Sequence, residues 1–177
     1  RRRQEAETLR RAATAVSSTL DLNDVMEDIL KALKQVIDYD SASVFLHEGD
    51  WLRLAVCQGF ADPTAMINQK FPADNELFQH IRTTRSPIII NDVQNDLRFK
   101  NWGNTFNVHG WMATPLVHRG RVIGYITLDH HEPAAYDKAN VETAMAFAYQ
   151  AAAAIENARL YDETQRRLSE LETINRL

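Results

Sequence analysis

The sequence predicts an α+β fold, in which helices are grouped around an antiparallel sheet. Three observations support this prediction. Apolar residues recur every three or four positions near both ends of the chain, as in amphipathic helices. In the central part they alternate with other residues, as in strands. Short turns join neighbouring strands in two places, which favours antiparallel hairpins.

The composition is that of a globular domain and excludes several classes of protein. The chain has 177 residues, of which 45% are hydrophobic, and its formal net charge is −4. This near balance argues against nucleic-acid binding, which usually needs a basic excess. A single cysteine excludes an intramolecular disulfide framework and a zinc site of several cysteines. No run approaches the roughly 20 apolar residues of a membrane span, and no signal peptide is recognisable, so we expect a cytoplasmic protein.

Two helices are predicted before the sheet. The first covers about residues 4–20 and the second ends near Ile37, with Asp21 and Asn23 as short polar residues that favour a helix start. The apolar residues of the second helix form a stripe wide enough to pack on a sheet. This stripe consists of Leu22, Val25, Met26, Ile29, Leu30, Leu33, Val36 and Ile37.

A hairpin is predicted directly after these helices. From residue 41 the apolar period changes to two, first through Ala42, Val44 and Leu46. A turn at residues 48–50 separates this strand from a second alternating segment, which ends near residue 58. The short connection makes the two strands antiparallel neighbours.

The middle of the chain is less regular. Residues 71–73 are predicted to form a break, after which Asp74 caps a helix over about residues 75–83. Residues 88–90 form a short apolar strand, and residues 91–108 form a long loop. A long structured loop in a compact domain is usually functional.

A second hairpin and a long helix complete the prediction. Strands are expected over residues 111–117 and 122–128, with Pro115 at an irregular or edge position. The final helix runs from about Asp137 to the end of the chain, and its alanine-rich centre allows close packing. Its last part has the spacing of a coiled-coil seam. The seam residues are Tyr161, Thr164, Leu168 and Leu171.

Four stretches of the sequence follow the pattern of one family in the expected order. They are residues 20–26, 88–99, 114–128 and 151–161, of which the last, AAAAIENARLY, is the most specific. On these residues the chain resembles the GAF domain, a ligand-binding or signalling module of sensor proteins. The resemblance implies a six-stranded antiparallel sheet, with the terminal helices on one face and a possible ligand pocket on the other.

The resemblance also implies how the chain is organised. Residues 1–19 would form an N-terminal connector helix, residues 20–160 the sensor domain and residues 161–177 a C-terminal connector or coiled-coil helix. We expect the chain to be a piece of a longer bacterial-type signalling protein, of the sensor histidine kinase or diguanylate cyclase class, with adjacent signalling domains as partners. Connector helices need a further surface, so we expect a parallel homodimer. Its dimer and relay residues would be Leu9, Val16, Tyr161, Leu168 and Leu171.

The predicted pocket has both aromatic and polar candidates. The aromatic residues in the segments expected to cover it are Phe71, Phe99, Trp102, Phe106 and Trp111. The polar residues placed nearest to it are Asn91, Asp92 and Thr127. Two interpretations stay open: a pocket for a small-molecule ligand of unknown identity, for which aromatic walls are suitable, or a filled core in which the rings are structural.

Other binding sites are less well supported by the sequence. The helix start near residue 75 offers backbone N–H groups to an anion such as a cyclic nucleotide, but the Asp74 carboxylate fits that place. Cys57 lies on the second strand and fits a buried thiol better than a bilin attachment site. Because His130 and His131 are adjacent, they point to opposite faces of a strand, so no metal site is expected. The basic start of the chain is interleaved with glutamates and fits a solvated helix face.

No catalytic motif is recognisable in the sequence. A phosphate-binding loop, a nucleophile–base pattern and a paired-carboxylate signature are all absent. We therefore expect a sensory domain that binds a small ligand, or relays an upstream signal through dimeric helices, to an output domain such as a histidine kinase. Two alternatives stay open: a dimerisation and relay module without a ligand, and a bilin photoreceptor domain.

Overall fold

A six-stranded antiparallel sheet forms the centre of the protein in a computed structural model that describes residues 2–8, 21–102 and 107–176. The order of the strands across the sheet is β3-β2-β1-β6-β5-β4. The predicted α+β fold class and antiparallel sheet are therefore confirmed. The strands are β1 (Ser41–Glu48), β2 (Trp51–Gln58), β3 (Lys70–Pro72), β4 (Ile88–Ile90), β5 (Gly110–His118) and β6 (Arg121–His130).

Helices of very different lengths surround this sheet. In the part of the chain that the structure describes, no helix is both long and apolar enough to cross a membrane. Residues 2–8 are helical, whereas the predicted relay residues Leu9 and Val16 lie outside the described residues. The further helices are α1 (Leu22–Lys34), α2 (Pro63–Met66), α3 (Glu76–Thr84) and α4 (Lys138–Asn175), with a 3₁₀ turn at Val93–Asn95.

The helices α1 and α4 pack together on one face of the sheet, which we call the helix face. The carboxylate of Asp21 caps α1 by accepting hydrogen bonds from the N–H groups of Asn23 and Asp24. Asp137 and Asn140 form a capping box at the start of α4. Buried alanines of α4 let its backbone approach α1 and β5 closely. The core on this face includes Met26, Leu30, Leu46, Met112, Ala144, Phe147, Ala148, Ala151, Ala152 and Ile155.

A second core covers the opposite face of the sheet, and helix α3 contributes Phe78 to it. Two β-bulges change which side chains face each side of the sheet. The register between β1 and β2 shifts at Ala55, so that Ala55 and Val56 both join the core of the helix face. A similar shift between β5 and β6 sends Ile123 to the helix face and Val122 to the opposite face.

The edges of the sheet differ in part from the sequence prediction. Residues 71–73 were expected to form a break, but Phe71 pairs with Leu52 in the short edge strand β3. A strand of three residues is too short for its alternation to be visible in the sequence. Pro115 lies two residues past Ala113, where the pairing of β5 with β4 ends, so it interrupts no bond between those strands.

The start of α3 also differs from the prediction, because Asn75 rather than Asp74 is its cap. The side-chain oxygen Oδ1 of Asn75 accepts a hydrogen bond of 3.0 Å from the N–H of Phe78. Asn75 therefore takes the capping role in which the sequence analysis placed Asp74. The helix ends at Arg85, which has a left-handed backbone with φ of 53°.

Gly124 lets the central strands β1 and β6 lie close together. It pairs with Leu46, and a Cβ atom at this position would lie 2.0 Å from the backbone oxygen of Phe45. That oxygen belongs to a central strand and cannot move without disturbing the sheet.

We expect the Gly124→Ala variant to lose about 3 kcal/mol or more of the free energy of unfolding, because its new methyl group overlaps a backbone atom. Urea unfolding followed by circular dichroism measures this loss. The control is Gly49→Ala. Gly49 has a positive φ of 63°, which Gly124 does not have, but no atom lies within 4 Å of the added carbon. The control should lose only about 1 kcal/mol, and equal losses in the two variants would contradict the contact-based explanation.

Candidate functional site

A cavity of about 60 Å³ lies between the sheet and the segments that cover the face opposite the helices. We call it the sheet cavity. Strands β1, β5 and β6 form its floor, and residues 98–102 contribute to its cover. One water molecule occupies roughly 10–15 Å³ of such a cavity, so the sheet cavity has room for about four to six non-hydrogen atoms.

The floor of the sheet cavity follows from the strand register. Side chains alternate along a strand, so every second residue of β6 faces the cavity while its neighbours face the helices. The floor is consequently aromatic at one end and acidic at the other. Its cross-strand pairs are, in order, Phe45–Tyr125, Ser43–Thr127 and Ser41–Asp129.

Asp129 provides a buried carboxylate at the acidic end of the floor, with 5% of its surface exposed. Its Oδ2 accepts a hydrogen bond of 2.7 Å from the hydroxyl of Ser41, the one hydrogen-bond donor to this side chain within the described residues. Burial raises the pKa of Asp129 to about 6, the hydrogen bond from Ser41 opposes this rise, and the charge of Asp40 adds to it. Among the residues that the structure describes, no lysine, arginine or histidine forms an ion pair with this carboxylate.

Asp129 is not among the residues proposed from the sequence, although the alternation along β6 carries a signal for it. Asp129 continues the series Tyr125, Thr127, which alternates with the apolar residues Ile126 and Leu128. Once the apolar residues are assigned to the helices, an aspartate in the other series must face the opposite side of the sheet.

The aromatic residues proposed from the sequence lie at different depths. Phe99, Trp102 and Trp111 line the cavity, and the rings of Phe99 and Trp111 meet edge to face with their centroids 5.7 Å apart. Phe71 is not part of the lining. It stacks on Trp102 with a centroid distance of 4.6 Å and so supports that ring from behind. Phe106 lies outside the described residues.

Of the polar residues proposed from the sequence, the structure places only Thr127 in the lining of the sheet cavity. Asp92 instead caps the 3₁₀ turn, where its Oδ1 accepts a hydrogen bond from the N–H of Gln94 and lies 3.1 Å from Nδ1 of His109. The exposed Asn91 accepts a backbone hydrogen bond from the segment after β6. Asn91 therefore helps to hold the loop through its backbone carbonyl. Asp92 does so through its side chain, because short polar side chains readily bond to nearby backbone groups in turns.

Two cations, Arg98 and Lys100, contribute to the cover of the cavity and were not proposed from the sequence. Arg98 donates from Nε and Nη2 to the two carboxylate oxygens of Asp96, at 3.0 and 2.8 Å. These bonds hold the guanidinium in one orientation and keep the pKa of Asp96 below its usual range. Lys100 is exposed, and in the described residues its ammonium group has no carboxylate partner.

Cys57 and the paired histidines lie away from the sheet cavity. Cys57 belongs to the core on the same face but is not part of the lining, and burial raises the pKa of its thiol. His130 is mostly buried, with Nε2 3.2 Å from Asp38, whereas His131 is exposed. No group of three side chains suited to a metal ion occurs among the residues that the structure describes.

Comparison with known proteins identifies the family of the sequence. A family model described as GAF domain matches residues 19–156, which is more than half of the chain. No curated protein matches the sequence significantly.

Solved structures show the same fold at low sequence identity. The GAF domain of an Acinetobacter phosphoenolpyruvate-protein phosphotransferase is 16% identical, with a TM-score of 0.78 over 89% of this chain and 95% of the other. A free methionine-R-sulfoxide reductase from Neisseria meningitidis is 18% identical, with a TM-score of 0.75 over 89% and 91%. A fragment of a methyl-accepting chemotaxis protein is 20% identical, with a TM-score of 0.71 over 85% and 98%.

The raised pKa of Asp129 predicts a specific dependence of stability on pH. The folded chain holds this proton up to a pH of about 6, whereas an ordinary aspartate loses it near 3.8. Between these values the folded state binds more protons than the unfolded state, so stability falls as the pH rises. Relative to Asp129→Asn, we expect the wild-type chain to lose about 2 kcal/mol between pH 4 and pH 7. Urea unfolding of both chains across this range measures the difference, and parallel pH profiles would contradict it.

Proposed function

Because this chain belongs to the GAF domain family, we propose that it is a sensory or regulatory domain of a signalling protein. In this proposal a small ligand binds in the sheet cavity, or an upstream module acts on the N-terminal connector, and the change reaches an output domain through α4. The observation that carries the proposal is the arrangement around β5 and β6. These strands form the cavity floor on one face and contact α4 on the other.

Strand β5 provides a direct path between the two faces. Trp111 lines the cavity, whereas the next residue, Met112, belongs to the core beneath the helices. Further along the strand, the hydroxyl of Thr114 contacts the sulfur of Met145 in α4 at 2.9 Å. A ligand that moves Trp111 therefore acts on a strand that α4 already contacts. Such a ligand shifts the position of the helix only if it binds two arrangements unequally.

The second half of α4 carries an apolar stripe that nothing in the described chain covers. We propose that a second copy of the same helix, in parallel orientation, covers this stripe. A parallel pair places both output domains at the same end of the dimer. The stripe consists of Leu160, Tyr161, Leu168, Leu171 and Ile174, each between 41% and 63% exposed.

For the output domain we propose a histidine kinase core of a two-component system, with a diguanylate cyclase as the second candidate. The continuous 38-residue helix α4 supports an output domain that is joined to the sheet by a single helix. The related domains of a phosphotransferase and a chemotaxis protein support a regulatory role in general. Sequencing the gene beyond residue 177 tests the output domain directly. We propose no reaction for the domain itself, since Cys57 does not line the cavity.

The ligand-binding part of the proposal is tested on the chain as it is purified from cells. Native mass spectrometry shows whether a small molecule is retained, and a thermal-shift panel of metabolites finds one that is lost during purification. The Trp102→Ala variant should weaken binding, while Trp51→Ala, at an exposed residue outside the cavity, should not. If no species binds to the wild-type chain, the ligand-binding function is wrong.

A dimerisation and relay module without a ligand is the second candidate function. The observation that favours it is the tight ring packing around the cavity, in which Phe71 stacks on Trp102 and Phe99 meets Trp111. In that case the aromatic residues fill the core, and α4 transmits only what arrives from the preceding module.

We expect the double variant Leu168→Glu, Leu171→Glu to weaken the dimer about a hundredfold or more, because each buried leucine contributes about 1.5–3 kcal/mol. Light scattering at several protein concentrations measures the change. The matched control is Ser169→Glu, Thr173→Glu, which adds the same charge to exposed positions on the opposite side of the helix from the stripe. A dimer that dissociates equally in both variants, or in neither, would contradict the proposed seam.

A further inference from the structure

The sheet cavity has a negative charge at its floor that no cation in the described part of the chain balances. Asp129 is almost fully buried, and within those residues its side chain receives one hydrogen bond, from Ser41. Aspartate is rarely buried without a cationic partner, because removing its charge from water is costly. Thr127 and Ser43 lie beside it on the floor as neutral hydrogen-bonding groups. This end of the cavity is therefore suited to a group that carries a positive charge and several N–H donors.

The cover of the same cavity carries charge of the opposite sign. Lys100 and Arg98 both belong to the lining, and Asp96 holds Arg98 in a fixed orientation. No ion pair joins either cation to Asp129 in the described residues. The negative charge on the floor and the positive charges on the cover thus remain separate, with the cavity between them.

The size and walls of the cavity limit the ligand further. A volume of about 60 Å³ admits only a small molecule. The rings of Phe45, Phe99 and Trp111 line the same cavity and give it apolar walls. In such a site the interactions between charges are stronger than in water.

We propose that the ligand of the sheet cavity is a small zwitterion of the α-amino-acid class, whose ammonium group binds Asp129 and whose carboxylate binds Lys100 and Arg98. This inference rests on the proposed ligand-binding function and names its ligand class. A simple cation leaves the lysine unpaired and a simple anion leaves the aspartate unpaired, whereas a zwitterion satisfies both ends. The carboxylate oxygens are suited to the Lys100 ammonium group and to Nη1 of Arg98, since Asp96 engages Nε and Nη2.

Isothermal titration of the 177-residue chain with three small amino acids, glycine, L-alanine and L-serine, tests the charge requirement. Two further probes keep the skeleton of alanine but lack one charge: ethylamine has no carboxylate, and propionate has no ammonium group. We expect at least one of the amino acids to bind saturably, and ethylamine and propionate to bind at least tenfold more weakly than alanine. Equal binding of alanine and ethylamine would overturn the role of the cations, and equal binding of alanine and propionate would overturn the role of Asp129.

Two variants test whether Asp129 and Lys100 bind the charged ends of the ligand. Asp129→Asn keeps the shape of the side chain, and Lys100→Gln removes a single charge at an exposed position. We expect each variant to weaken amino-acid binding at least tenfold. Lys70→Gln, on the edge strand β3 and outside the cavity, is the control that should bind like the wild-type chain. Circular dichroism verifies that the variants fold, and if Asp129→Asn does not, Lys100→Gln still decides the question, since wild-type affinity in it would overturn the proposal.

The outcomes also separate this inference from the proposed function. If none of the amino acids binds but another molecule is found on the purified chain, the zwitterion is wrong and the ligand-binding function stands. If no molecule binds at all, both are wrong and the relay function remains.

Discussion

The pairing of β1 with β6 at the centre of the sheet is the constraint on which the rest of the structure depends. It joins two hairpins that are far apart in the sequence, and Gly124 allows the strands to approach at Phe45. The same pairing sets Ser41 opposite Asp129, so it also fixes the polar end of the cavity floor. A slip of one residue would turn Asp129 away from the cavity and toward the mainly apolar core of the helix face. Both the fold and the candidate site therefore depend on the register between β1 and β6.

The long elements of this fold are predictable from the sequence, because burial on one face requires regular spacing. The stripe of α1 and the alternation along β1 follow this rule and lie where the pattern predicts them. Strand β3 could not be found in this way, since three residues that include Pro72 show no alternation. The bulges at Ala55 and Ile123 are also invisible in the pattern, because only the partner strand reveals the extra residue.

The candidate site is less predictable than the fold, because its lining comes from several segments whose mutual positions the pattern does not determine. Trp102 and Trp111 are recognisable as large rings in or beside a polar loop. Asp92 lies in the same loop, yet its carboxylate bonds to the turn that it caps. Asp129 is hard to single out in the sequence because it lies near the end of the apolar strand β6, where a polar residue is common. Its position in the cavity becomes clear only when the series Tyr125, Thr127 and Asp129 is assigned to the face opposite the helices.

The cavity and the long helices lie on opposite faces of the sheet, and this separation has an evolutionary consequence. Substitutions at Ser43 or Thr127 alter the cavity without touching either long helix, since these side chains point away from the helix face. Substitutions along the exposed second half of α4 leave the cavity lining unchanged in the same way. Under the proposed function, ligand preference and downstream coupling are thus free to diverge independently in descendants of one ancestral chain. The central strands β1 and β6 contribute side chains to the cores on both faces, so such divergence must leave them intact.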